Sequence, residues 1–70
     1  MAVAGIDVGA ETTKAIILDD GRVIAHAIGH QGRHAASTVA ASMLNEAAQK
    51  AGVSLDQLEH VGVTGIGREQ

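Results

Sequence analysis

Three short apolar runs open the chain, and each closes on a polar break that contains glycine. Residues 3–8 end at Gly9-Ala10-Glu11-Thr12, residues 14–18 at Asp19-Asp20-Gly21, and residues 23–28 at Gly29. An Asp-Gly step between two apolar runs is a strong hairpin signal, because a type I′ turn needs positive φ at both central positions. The pattern predicts three consecutive antiparallel strands, a β-meander over 3–28. Ile6, Val8, Ile16, Leu18, Val23 and Ile24 do not alternate cleanly with polar residues. Strands of that kind are expected to be covered on both faces, in a central sheet with helices on each side.

After a polar, glycine-bearing loop at 29–34 the period changes. Val39, Ala40, Met43, Leu44, Ala47, Ala48 and Ala51 recur at helical spacing, which predicts a helix over about 35–51 with this face in the core. Gly52 suits the left-handed residue that ends a helix, and Lys50 complements the helix dipole. Ser54 with Gln57 three residues on reads as a capping box opening one short turn. A fourth strand follows at about 60–64 and runs into Thr64-Gly65-Ile66-Gly67-Arg68. The order is β-β-β-α-β, with no internal repeat or linker, so residues 1–70 read as one α/β unit.

Composition makes that unit thin. Its apolar content leans on 13 alanines, and Phe, Tyr and Trp are absent. A core in a chain this short rarely supplies more than about 3–5 kcal/mol without staples. The lack of cysteine excludes disulfides and thiolate metal sites. The expectation is therefore a part of a larger fold, cut soon after the 64–68 turn. The net charge is −3, and the five cations (Lys14, Arg22, Arg33, Lys50, Arg68) are scattered with no aromatic to stack on a base. That argues against a nucleic-acid partner. No apolar run approaches the ~20 residues of a membrane span, and Asp7 interrupts any signal-peptide core. A cytoplasmic chain with no membrane partner is expected.

The stretch Asp7-Val8-Gly9-Ala10-Glu11-Thr12-Thr13-Lys14 concentrates the candidate chemistry. A strand ends near a carboxylate, a glycine turn follows, and the next strand starts with hydroxyls and a lysine. Glycine lets backbone approach a ligand closely, and successive N–H groups in a tight turn form an anion-binding concavity. Lys14 can offer a point charge to a phosphate. Asp7 can hold Mg²⁺, through water, because magnesium keeps much of its hydration shell. The bland alternative is an ordinary hairpin with an acid and a base at its mouth. Nor is this the Gly-Lys-Ser/Thr phosphate loop, which is missing from the sequence.

Gly5-Ile6-Asp7-Val8-Gly9, then Thr12-Thr13-Lys14, then Asp19-Asp20-Gly21, resembles the first phosphate segment of the actin, sugar-kinase and heat-shock-chaperone ATPase superfamily. Together with Thr64-Gly65-Ile66-Gly67-Arg68, the pattern most resembles the ATP-hydrolysing activators of 2-hydroxyacyl-CoA dehydratases and the related ATPase subunits of benzoyl-CoA reductases. Departures are Ala10-Glu11 where Ser-Thr is usual, and Ile66 in place of an aromatic. The resemblance implies a ribonuclease-H-like (actin-like ATPase) half-lobe. It also implies ATP and Mg²⁺ as ligands, with Asp7 as the catalytic and magnesium-side carboxylate. Gly9, Ala10, Glu11, Thr12 and Thr13 would form the phosphate-embracing turn and Lys14 a phosphate contact. Gly65 and Arg68 would sit in a loop near the nucleotide cleft or the interface. For the whole protein it implies a homodimer with a [4Fe-4S] cluster on downstream cysteines, delivering a low-potential electron to a dehydratase or reductase partner. The 70 residues alone are expected to be inactive.

Two other readings stay open. A sugar or small-molecule kinase of the same superfamily shares the first motif, but the 29–34 loop is short and has no aromatic. A non-enzymatic interaction module would account for the thin core and open sheet edges. His26, His30 and His34 are spaced by four, yet Gly29 and Gly32 interrupt any helix there, so they read as strand and loop histidines facing solvent. Asp19 and Asp20 read as turn residues.

Overall fold

A computed structural model describes residues 1–32 and 34–65. Its elements are β1 (Ala2–Val8), β2 (Thr12–Asp19), β3 (Arg22–His30), α1 (Ala36–Ala51), a single 3₁₀ turn (Leu55–Gln57) and β4 (Leu58–Gly65). The four strands form one sheet in the order β3-β2-β1-β4. β1 pairs antiparallel with β2 and parallel with β4, so the mixed sheet has β1 inside it and β3 and β4 at its edges.

Local chemistry explains each boundary. Asp20 and Gly21 both have positive φ (52° and 80°) between the paired residues Asp19 and Arg22, the type I′ geometry that the Asp-Gly step predicts. The Met1 ammonium donates to Asp19 Oδ1 at 2.9 Å. That bond and the nearby Asp20 charge raise the pKa of the ammonium above its ordinary value. At the end of α1 the Gly52 N–H donates to the Gln49 carbonyl and the Val53 N–H to the Ala48 carbonyl, the paired bonds of a Schellman cap. Lys50 donates from the last turn of α1 to the His26 carbonyl at 3.1 Å, tying the helix to β3. The Ser54 N–H donates to Gln57 Oε1 at 2.8 Å, which opens the 3₁₀ turn as the Ser-x-x-Gln spacing predicts.

Gly52 tests this logic. It sits at φ +75° with nothing within 4 Å of where a Cβ would stand. Gly52→Ala is therefore expected to cost only the left-handed backbone strain, about 1 kcal/mol, read as a lower urea midpoint.

Side chains alternate along strands, so one set of each strand faces α1. Ala4, Ile6 and Val8 of β1, Ala15 and Ile17 of β2, Ala27 of β3, and Ala47 and Ala48 of α1 make the buried core. Alanines on both layers let the helix lie close. Closest of all is Gly29, where a Cβ would stand 2.8 Å from Met43 Sδ. Val61 and Val63 share this face through their registry with Ala4 and Ile6, yet remain 40% and 46% exposed, because α1 packs mainly over β2 and β3.

The opposite face differs from expectation. Ile28, in registry with Lys14, is 56% exposed, and Val3, Ile16 and Leu18 are only half-buried. Among the described residues no helix lies over it. Apolar residues on both sides of a strand make two-sided burial favourable, but α1 is the one described helix long enough to cover the sheet. No helix among the described residues is long and apolar enough to cross a membrane.

Candidate functional site

The uncovered face carries a groove of about 450 Å³ whose lining includes Gly5, Asp7, Lys14, Ile16, Gly62 and Thr64. Strand registry builds it. Gly5 stands beside Gly62, while Asp7 is flanked by Lys14 on β2 and Thr64 on β4. Residues paired in this way share a face, so a carboxylate, an ammonium and a hydroxyl form one row across three strands. The paired glycines form the floor. A Cβ on Gly5 would press on Ile16 Cγ1 at 3.3 Å, whereas one on Gly62 would meet nothing nearer than His60 Nε2 at 4.0 Å and would stand in the groove. Asp7 and Lys14 are both exposed, and no salt bridge joins them among the described residues.

One residue pair further along the strands, beside this row, lies the β1–β2 turn. The Gly9 N–H donates to the Thr12 carbonyl at 2.8 Å, and a Cβ at Gly9 would come within 3.2 Å of that oxygen. Ala10 and Glu11 form the exposed tip. Among the described residues neither of their N–H groups finds an acceptor. Two consecutive unengaged amides at a tight turn are donors for an anion. The Glu11 side chain is exposed, beside a shallow polar recess it shares with His30, Gln31 and His34.

The candidate stretch is split by the pleat. Lys14 and Asp7 point to the groove face. Thr12 is half-buried and in registry with His30. Thr13 faces α1 with no exposed surface, and its hydroxyl bonds the Gln31 side-chain amide at 2.7 Å. Its side chain is therefore structural, and only its backbone borders the turn. Gly65 ends β4 in registry with Val8, which brings the start of the second motif beside the turn. Arg68 lies outside the described residues, as do Ile66 and Gly67. His26 and His30 sit on the exposed side of β3, and among the described residues no three metal-ligating side chains gather.

Gln31 carries no motif signal, yet it anchors the turn. Its backbone N–H donates to the Glu11 carbonyl at 2.9 Å. With its amide oriented to satisfy its neighbours, Nε2 lies 2.7 Å from Thr13 Oγ1, 3.0 Å from the Thr12 carbonyl and 3.3 Å from the Gly9 carbonyl.

The β-β-β-α-β order, with its mixed sheet and open turn after β1, places the chain in the α/β, ribonuclease-H-like class of the actin-like ATPases. Within that class the structure is similar to component A of the Acidaminococcus fermentans (R)-2-hydroxyglutaryl-CoA dehydratase. That match has a TM-score of 0.87 and 28% identity, over 99% of this chain and 26% of that one. It is also similar to the activator of the 2-hydroxyisocaproyl-CoA dehydratase from Clostridium difficile, a structure with bound ADPNP. There the TM-score is 0.80 and the identity 28%, over 99% of this chain and 25% of that one. In sequence the chain is 41% identical over 64 residues to an uncharacterized protein of Methanocaldococcus jannaschii, covering 15% of that protein. No family model matches. The chain thus resembles the dehydratase activators, and it spans about a quarter of their length.

Proposed function

We propose that these residues form the phosphate-binding part of an ATPase that activates an acyl-CoA dehydratase or a related reductase. One observation carries the reading: two unengaged amides at the tip of the β1–β2 turn stand next to the Lys14–Asp7–Thr64 row. The likeness to two dehydratase activators, one of them with a bound ATP analogue, supports it.

In this reading the Ala10 and Glu11 N–H groups donate to phosphate oxygens, Gly9 and Thr12 close the turn, and Thr13 stiffens it from behind. Lys14 adds positive charge from the neighbouring strand. Asp7 fits a magnesium ion held through water, since its carboxylate is exposed and unpaired by Lys14 among the described residues. Magnesium, when bound, neutralises phosphate charge and polarises the phosphoryl group. Gly65, and Arg68 by its motif, border the nucleotide cleft or a subunit interface. The chain has no cysteine, so any [4Fe-4S] ligands, and with them the homodimer that shares the cluster, belong to sequence outside these 70 residues. One turn and one lysine fall short of the roughly −8 kcal/mol that a micromolar nucleotide needs, so the isolated 70 residues are inactive in this reading.

Lys14→Ala in the intact gene product tests the assignment. Loss of a charge-assisted phosphate contact is expected to weaken Mg·ATP at least about tenfold by calorimetry. An unchanged dissociation constant would remove Lys14 from the phosphate site.

A further inference from the structure

We infer that Gln31 is a positioning residue for the phosphate turn: it fixes carbonyls of the turn on one side so that the Ala10 N–H at its tip faces a bound phosphate. The inference rests on the phosphate-binding reading above. Gln31 lies just beyond β3, far from the turn in sequence, and is half-buried against it. Its Nε2 reaches the Thr12 carbonyl at 3.0 Å and the Gly9 carbonyl at 3.3 Å, and its own backbone N–H takes the Glu11 carbonyl at 2.9 Å. In a planar trans peptide the C=O and the following N–H point in opposite directions. A Gly9 carbonyl drawn toward Gln31 therefore turns the Ala10 N–H away from it.

The same Nε2 donates to the Thr13 hydroxyl at 2.7 Å, on a side chain with no exposed surface. The two carbonyls, which can only accept, set the direction of the amide, and the Thr13 hydroxyl anchors the side chain. Gly32 follows at φ +55°, a left-handed conformation that glycine adopts readily. A turn held at its carbonyls before the ligand arrives loses less freedom on binding, which is how preorganisation raises affinity. Gln31 touches no phosphate in this arrangement. It acts through the Gly9–Ala10 peptide, with the Glu11 and Thr12 carbonyls held beside it.

The test uses the intact gene product, with Mg·ATP, Mg·ADP and adenosine as probes. Gln31→Met keeps the length of the side chain and removes the amide. It is expected to weaken both nucleotides about five- to tenfold while moving adenosine affinity and the unfolding midpoint little. Gln31→Glu, which can accept from Thr13 but cannot donate to the carbonyls, is expected to bind Mg·ATP no better than Gln31→Met. Thr13→Val added to Gln31→Met should weaken Mg·ATP little further, because the two act as a unit. If Gln31→Met binds Mg·ATP like the unmodified protein while Lys14→Ala does not, the positioning role is wrong and the phosphate site stands. If neither variant changes nucleotide affinity, the phosphate site itself is wrong. If adenosine and the unfolding midpoint fall along with the nucleotides, Gln31 is only a fold residue and the inference is overturned.

Discussion

Ile17→Ala is expected to leave the 70-residue chain without a cooperative unfolding transition. Ile17 has no exposed surface and is the largest fully buried apolar side chain in the core. The buried cluster it belongs to is otherwise mostly alanine, with Ile6 and Val8, and Met43 and Leu44 of α1 pack against it half-buried. Alanine neighbours have no reach to fill the space that an isoleucine vacates. The cost of such a deletion is about 2–5 kcal/mol, and toward the upper part of that range when the site does not collapse. A core of this size supplies roughly 3–5 kcal/mol in all, so the two nearly cancel. Urea titration followed by far-UV circular dichroism reads the result. Ile28→Ala is the control: this residue is 56% exposed on the uncovered face, and its loss should move the midpoint by no more than about 0.5 kcal/mol. A sharp transition in the Ile17 variant would mean that the helix and sheet are held by something other than this core.

The second large effect concerns chemistry. On the proposed phosphate-site reading, Asp7→Asn in the intact gene product is expected to lower magnesium-dependent ATP hydrolysis about a hundredfold or more, in kcat rather than KM. The substitution keeps the shape of the side chain and its place between Lys14 and Thr64, but it removes the one carboxylate of that row. A neutral amide cannot orient hydrated magnesium as an anion does. Asp19→Asn, at the far end of β2 beside the Met1 ammonium, is the matching control and should leave hydrolysis unchanged. A hydrolysis rate within about threefold of the unmodified protein would take Asp7 out of the reaction.

Much of the architecture was legible because its signals are local. The Asp20-Gly21 turn, the left-handed Gly52 and the helical period of α1 each depend on a few consecutive residues, and the structure realises all three. The turn after β1 was legible for the same reason, since Gly9 marks the point where the backbone doubles back and a Cβ would crowd the Thr12 carbonyl. What escaped depends on distant parts of the chain. Apolar residues on both sides of β1 and β2 cannot tell which side a helix takes. Nor could the run Thr12-Thr13-Lys14 show by itself that the pleat turns Thr13 inward. That follows from strand registry, which pairs Thr13 with Val8 and Lys14 with Asp7. Gln31 was illegible for a plainer reason: a single polar residue in a polar loop looks like any other until the loop folds back on the turn.

The mixed pairing of β1 also orders events in time. Its antiparallel partner follows after a tight turn, and β3 follows β2 in the same way, so these contacts close short loops early. The parallel partner β4 arrives only after α1 has crossed the sheet, and it alone brings Gly62 and Thr64 beside Gly5 and Asp7. A nascent chain therefore holds the finished β1–β2 hairpin before it holds a groove, and the two can be separated kinetically by the rate at which β4 docks.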